Sequence, residues 1–238
     1  MFGALAHKEI KMNDFESHLS SLGSESIKAV LQNKCSEGFS SRTGGTFYDI
    51  SGNEWPMGAD APLRPLLQIV VDELPYIPEQ ISHLTGICIY IDKDYVTFDI
   101  LSEEGSEFVV REIPKGSNIT PLVNPAQNKF EAKDIKWETF TDYPSSNDFF
   151  EWLDNQNIDY DYESKELEKA LERYKNYGFS KINGWPTTIQ GPSYDKPNTK
   201  GCAIQVSLDI EIPFGDSTVF KIEWGSKINN WYCMWETC

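Results

Sequence analysis

The sequence predicts an α+β fold, mostly β, in which two related β-rich halves pack together with flanking helices. Three observations carry that expectation. Short runs rich in Ile, Val, Tyr and Phe, separated by turn residues, fill residues 36–140 and return at 179–238. Helical periodicity is confined to the first 35 residues and to 141–178. An ordered set of short motifs also occurs twice, the mark of a duplicated unit. The expected organisation is an N-terminal helical segment (1–35), a first β-rich half (36–140), a helical connection (141–178) and a second β-rich half (179–238), together forming one compact domain.

Taken in order, Phe15, His18, Leu19 and Leu22 form one helical stripe. Ile27, Val30 and Leu31 form another, with Ser24 placed as its N-cap. His18 lies on the apolar stripe, where a packed histidine at the core edge is expected. From Leu66 the runs "LLQIVV", "ICIYID", "YVTFDIL" and "EFVVREI" read as an antiparallel meander, punctuated at Lys93-Asp94 and Glu104-Gly105. "PKGSNITPLVNP" reads as loop and "KDIKWETF" as one more strand. Ser145 followed by Asp148 resembles a capping box, opening a helix that buries Phe149, Phe150 and Leu153. After the acidic stretch "DNQNIDYDYE", Leu167, Ala170, Leu171 and Tyr174 follow the i, i+3, i+4, i+7 rule. Glu166–Lys169 and Glu172–Lys175 pairs fall on the solvated side of that helix, and Gly178 is its expected stop.

The repeat is Ser41-Arg42-Thr43-Gly44-Gly45, Trp55-Pro56, Leu67-Gln68-Ile69 and the strand "GICIYI". Its later copy is Ser180-Lys181-Ile182-Asn183-Gly184, Trp185-Pro186, Ile204-Gln205-Val206 and "GDSTVFKI". The glycine suits a corner needing positive φ, and Pro after Trp fixes an extended turn. A Gln inside an apolar strand must satisfy its amide, most simply on the backbone of its own corner loop. Gln68 and Gln205 are therefore expected as structural clamps. The competing reading makes Trp55, Gln68, Trp185 and Gln205 the lining of a ligand cleft between the halves.

On these motifs the chain resembles the YwqG-like family of bacterial proteins, a domain of unknown function. That family's pattern runs through "S-K-x-G-G-x-P", "W-P", "L-x-Q-I", "K-x-G-G-x-P-x-x-I-Q", "L-Q-I" and "G-D-x-G". Here "SRTGG", "WP", "LLQI", "KINGWPTTIQ", "AIQV" and "FGDS" stand in the same order across residues 35–238, with Asn183 in place of one glycine. The resemblance implies a mostly β fold of two related halves. Family members are similar to proteins found beside bacterial toxin and secretion genes, which implies an immunity or interaction role.

Charge narrows the partners. With 21 Lys+Arg against 37 Asp+Glu, the net charge of -16 repels nucleic acid and anionic lipid. "MFGALAHKEIKM" lacks the layout of a signal peptide, and no apolar run approaches the roughly 20 residues that span a bilayer, so a cytoplasmic protein is expected. Cys35, Cys88, Cys202, Cys233 and Cys238 are odd in number and scattered, hence expected as thiols without a bound metal. "DKD" at 92–94 and "DYDYE" at 159–163 lack the Gly and terminal Glu of a calcium loop. No nucleophile elbow, zinc-protease helix, phosphate loop or dinucleotide fingerprint occurs, and no cofactor is expected. The expected function is a protein-binding module, with immunity against a basic toxin as one form. Its face comprises Asp154, Asp159, Asp161 and Glu163 with Tyr160 and Tyr162 between. The alternative is a small-ligand-binding or hydrolytic protein using the inter-half cleft.

Overall fold

The computed structural model describes residues 8–9, 12–92, 101–103, 105, 107–123, 125, 131–156, 158–161, 164–176, 178–187, 203–207, 209, 219–225 and 230–236. In chain order these form β1 (Lys8–Glu9), α1 (Met12–Ser21), β2 (Ser24–Leu31), β3 (Arg42–Thr43), β4 (Tyr48–Ile50), β5 (Arg64–Val70), β6 (Leu84–Ile91), β7 (Leu101–Glu103), β8 (Phe108–Pro114), β9 (Ile119–Pro121) and β10 (Lys133–Asp142). There follow α2 (Ser146–Asn155), β11 (Ile158–Asp159), α3 (Lys165–Arg173), β12 (Lys181–Ile182), β13 (Ala203–Ser207), β14 (Val219–Gly225) and β15 (Asn230–Glu236).

One eleven-stranded antiparallel sheet dominates, in the order β7-β15-β14-β13-β12-β2-β10-β3-β5-β6-β8. Its two end strands, β7 and β8, have only residues 104–107 between them in the chain, so the sheet must curl back on itself. The indole N–H of Trp231 on β15 donates to Glu112 on β8 at 3.1 Å across the approaching ends. The result is a near-barrel, mostly β, with the three α-helices of the described residues packed in a layer of their own. Inside, Ile27, Ile89, Ile135, Ile204, Ile222 and Trp231 belong to one apolar core drawn from both β-rich regions. Strand alternation places Ile87, Ile89 and Ile91 in that core. Cys88 and Tyr90, on the other face of β6, join Phe47, Trp55, Leu63 and Ile113 in a second cluster. Burial on both faces is why "GICIYI" reads as a continuous apolar run.

Four local expectations are corrected. Residues 24–31 are not a second helix: they form β2, in the middle of the sheet between β12 and β10. Ile27 and Leu31 satisfy a helical spacing, but Ile27, Ala29 and Leu31 equally satisfy a period of two, and those three face the core. α3 ends at Arg173 rather than near Gly178. Tyr174 leaves the helix to pack edge-on against Tyr143 at 5.0 Å, and the Asn176 amide donates to the Tyr143 carbonyl at 2.8 Å. The loop at 114–125 contains β9, which pairs with β4 in a small separate sheet. Most of "YVTFDIL" lies outside the described residues; Leu101 opens β7, which pairs with β15 rather than extending the meander.

The helical layer follows expectation. α1, α2 and α3 bury Leu19, Phe149, Leu153, Leu167 and Ala170 against one another. Ser145 caps α2, its hydroxyl oxygen accepting from the Asp148 N–H at 3.1 Å and its O–H donating to the Asp148 carboxylate at 2.6 Å. His18 packs its ring 5.2 Å from that of Trp152, at the edge of this layer.

Candidate functional site

Two corners organise the sheet, and their geometries correspond residue by residue. β3 pairs with β5 through Arg42↔Gln68 and Thr43↔Leu67; β12 pairs with β13 through Lys181↔Gln205 and Ile182↔Ile204. After each short strand the chain turns on two residues of positive φ, Gly44 and Gly45 (62° and 70°) in one corner and Asn183 and Gly184 (62° and 83°) in the other. Asparagine is the non-glycine residue that tolerates this region best, which explains the single departure from a Gly-Gly pair.

Gln68 is fully buried; its carbonyl oxygen accepts the Tyr48 N–H at 2.7 Å and its amide donates to the Ser40 carbonyl at 2.6 Å. Gln205 accepts the Thr187 N–H and donates to the Phe179 carbonyl, both at 2.8 Å. Each glutamine thus ties its strand to both sides of its own corner. Two further pairs join them. The hydroxyl oxygens of Ser41 and Ser180 accept the backbone N–H of Val70 (2.8 Å) and Ser207 (2.9 Å). Their own N–H groups donate to the carboxylates of Glu73 (2.8 Å) and Asp209 (2.9 Å). The serines were visible in the repeated motif; the two acids, five and four residues after their glutamines, carried the same signal and were not read from it. Replacing Gln68 or Gln205 by Ala leaves two buried backbone groups without partners, so each variant should lose about 1–3 kcal/mol. The check is urea denaturation; an unchanged midpoint for both would rule out the clamps.

The basic residue of each corner is buried too. Arg42 donates to the carbonyls of Ser36 (2.9 Å) and Gly38 (2.8 Å) and to the Ser40 hydroxyl (2.6 Å), and lies 3.7 Å from Asp134. The Lys181 ammonium donates to Asp142 at 2.7 Å, with both side chains essentially without solvent contact. The same Asp142 oxygen accepts the Trp185 N–H at 2.9 Å. Burial pushes the Asp142 carboxyl up in spite of its cationic partner, and burial pushes the Lys181 amine down.

The tryptophans are not equivalent, which corrects one part of the sequence repeat. Trp185 follows Gly184 directly, in the place Thr46 holds after Gly45. Trp55 lies ten residues past Gly45, packed edge-on against Tyr90 at 5.3 Å. Both indoles are engaged: Trp55 donates to the Leu63 carbonyl at 2.8 Å and Trp185 to the Leu22 carbonyl at 2.7 Å, which joins the second corner to the end of α1. Trp185 and Gln205 share a cavity with Lys181 and Lys221; Trp55 and Gln68 are not part of its wall. At about 20 Å³ it has room for about one water and not for a metabolite.

The acidic face lies at the junction of α2 and α3. Asp154 is exposed and accepts the Tyr160 hydroxyl at 3.1 Å, while the Tyr160 ring stacks on Phe150 with centroids 5.3 Å apart. Asp161 is exposed, and Asp159 lies in β11, whose backbone pairs in parallel with β1. Tyr162 and Glu163 fall outside the described residues, as does Asp94 of "DKD". Residues 146–176 hold nine carboxylates against four basic side chains. Among the described residues no group of three His, Cys, Asp or Glu is placed to hold a metal, and no helix is long and apolar enough to cross a membrane. Cys88 and Cys233 are buried, and burial pushes both thiols up; Cys35 is exposed.

No curated protein matches the chain. A family model does, over residues 41–224: it begins at Ser41 of the first corner and ends within β14. The central strand β2 precedes the matched span, so the folded sheet extends beyond it. On a match covering both corners and most of its length, the chain belongs to the family described as domain of unknown function DUF1963.

Proposed function

We propose that the protein is a binding module whose acidic α2–α3 face docks a basic protein, in the manner of an immunity protein that neutralises a toxin in the cytoplasm. The observation that carries this reading is Tyr160, held by its hydroxyl on Asp154 and by its ring on Phe150 between exposed carboxylates. A fixed aromatic among solvated acids combines long-range steering with a contact that can be desolvated. It is favoured over the small-ligand alternative because Gln68, Gln205, Trp55 and Trp185 direct polar atoms at backbone groups of the fold.

Kinship with YwqG-like proteins within the family and descent of the two β-rich halves from one duplicated unit belong to the same proposal. The shared register, paired positive-φ corners and matching serine, glutamine and acid contacts support the duplication.

The test is a native pull-down from the source cell with the wild-type chain and with an Asp154→Lys/Asp161→Lys variant. The proposal expects a stoichiometric basic protein on the wild type, released by moderate salt and absent from the variant. The same partner retained by the variant, or a neutral partner indifferent to salt, would contradict it.

A further inference from the structure

We infer that the small cavity of the second corner binds one internal water, which joins the Asn183 side chain to the charged row of the sheet; the inference stands independently of the docking proposal. The cavity, about 20 Å³, is bounded by Asn183 and Trp185 of the corner and by Ala203, Gln205, Lys221 and Glu223 of the sheet. That is about the space one water takes, and a water needs two to four polar partners to stay. Asn183 supplies the first. Its Oδ1 has essentially no solvent contact and no hydrogen-bond partner within the protein. Among the described residues, four other buried side-chain atoms share that condition, on Arg42, Tyr90, Trp137 and Asp142, and none of those residues lines the cavity. Asn183 cannot withdraw to solvent, because both its backbone groups are held: its N–H donates to the Ala203 carbonyl at 2.8 Å and its carbonyl accepts the Ser26 hydroxyl at 3.0 Å. An amide flip would put an N–H in the same place, and a water serves either.

The sheet supplies the other partners. Lys181, Gln205 and Lys221 stand opposite one another across β12, β13 and β14, and Glu223, two residues beyond Lys221, shares their face opposite Ala203. The Gln205 amide is spent on the corner. Lys221 and Glu223 have contacts of their own, but an ammonium carries three donors and a carboxylate two oxygens, so each can hold a water as well. The walls select a water over an ion, because their charges cancel: Lys181 is paired with Asp142, and Lys221 lies on the same wall as Glu223. The first corner shows the other way to close the same space. There the row is Arg42, Gln68 and Cys88, and Gly44 stands in the place of Asn183. Phe47 and Tyr90, in the places of Pro186 and Glu223, are fully buried and pack edge-on with ring centroids 5.4 Å apart. Aromatic packing closes one corner, and a hydrogen-bonded water closes the other.

The experiment is water–protein NMR on the full-length chain, read as cross-peaks from water to the Asn183 side-chain amide and to the Ala203 methyl, together with oxygen-17 relaxation dispersion, which counts long-lived waters. The wild type should show both cross-peaks with the sign of a bound water. Ala203→Val, whose two added carbons take up the space, should lose the cross-peak at Asn183 and one water from the dispersion amplitude. Asn183→Gly, which reproduces Gly44 of the first corner, removes the water's anchor and should lower the amplitude by the same step. Resolved Asn183 and Ala203 signals without a water cross-peak in the wild type would overturn the assignment, whether or not either variant folds. So would a dispersion amplitude unchanged in both variants. Cross-peaks that disappear as sodium chloride is raised would place an ion at the site and would overturn it too.

Discussion

Gly184→Ala is expected to destabilise the protein by about 4 kcal/mol or more, because backbone strain and a clash with fixed atoms act together. Gly184 sits at φ 83°, and a Cβ there would lie 2.6 Å from the Asp142 carboxylate and 2.7 Å from the Ser26 hydroxyl. Neither neighbour can retreat. Asp142 is pinned by Lys181 and the Trp185 N–H, and the Ser26 hydroxyl donates to the Asn183 carbonyl at 3.0 Å. Gly52 provides the control: it has φ 94° with nothing within 4 Å of an added Cβ, so Gly52→Ala should show the strain alone, about 1–2 kcal/mol. Equal denaturation midpoints for the two variants would show that the corner is not as tightly filled as described.

Lys181→Met is the second large effect, expected at about 3–5 kcal/mol, since it strands the Asp142 carboxylate in a site without solvent. Combining it with Asp142→Leu should recover part of that loss. Recovery stays incomplete because the Trp185 N–H then lacks its acceptor, a deficit of about 1–3 kcal/mol. The pH dependence has a definite sign. Burial already raises the Asp142 carboxyl in the wild type, and removing the ammonium raises it further. A folded-state pKa above the unfolded one favours the fold at pH below the unfolded value, and the advantage disappears as pH rises through the folded value. The Lys181→Met deficit should therefore be largest near neutrality and shrink as the solution is acidified toward the ordinary carboxylate range. A deficit that grows on acidification would contradict the assignment of the buried charge.

What was legible from sequence follows from the range over which each signal acts. The capping serine of α2, the apolar residues Leu167, Ala170 and Leu171 of α3, the apolar runs of β5 and β6 and the strand β10 are set by neighbours close in the chain, and the fold places them as read. The glutamines were legible as clamps because a buried amide inside an apolar strand must find partners, and the nearest backbone was the corner. β2 was misread because its eight residues are too short for spacing to separate period two from period 3.6; what decides is its place between β12 and β10, both far along the chain. The Trp-Pro pairs matched as text but not in space, since one follows its glycine at once and the other comes after ten residues. Closure of the sheet, which brings Glu112 to Trp231, has no local signature.

The acidic face as a docking site for a basic protein is tested most directly by stopped-flow association of the captured partner with the wild-type chain and with an Asp159→Lys/Asp161→Lys variant, each across a range of ionic strength. The wild type should associate fast at low salt and slow steeply as salt rises, as steered encounters do. The variant should associate roughly tenfold or more slowly at low salt, with a nearly flat salt dependence and an unchanged denaturation midpoint. Superimposable rates and salt slopes for the two chains would contradict the account.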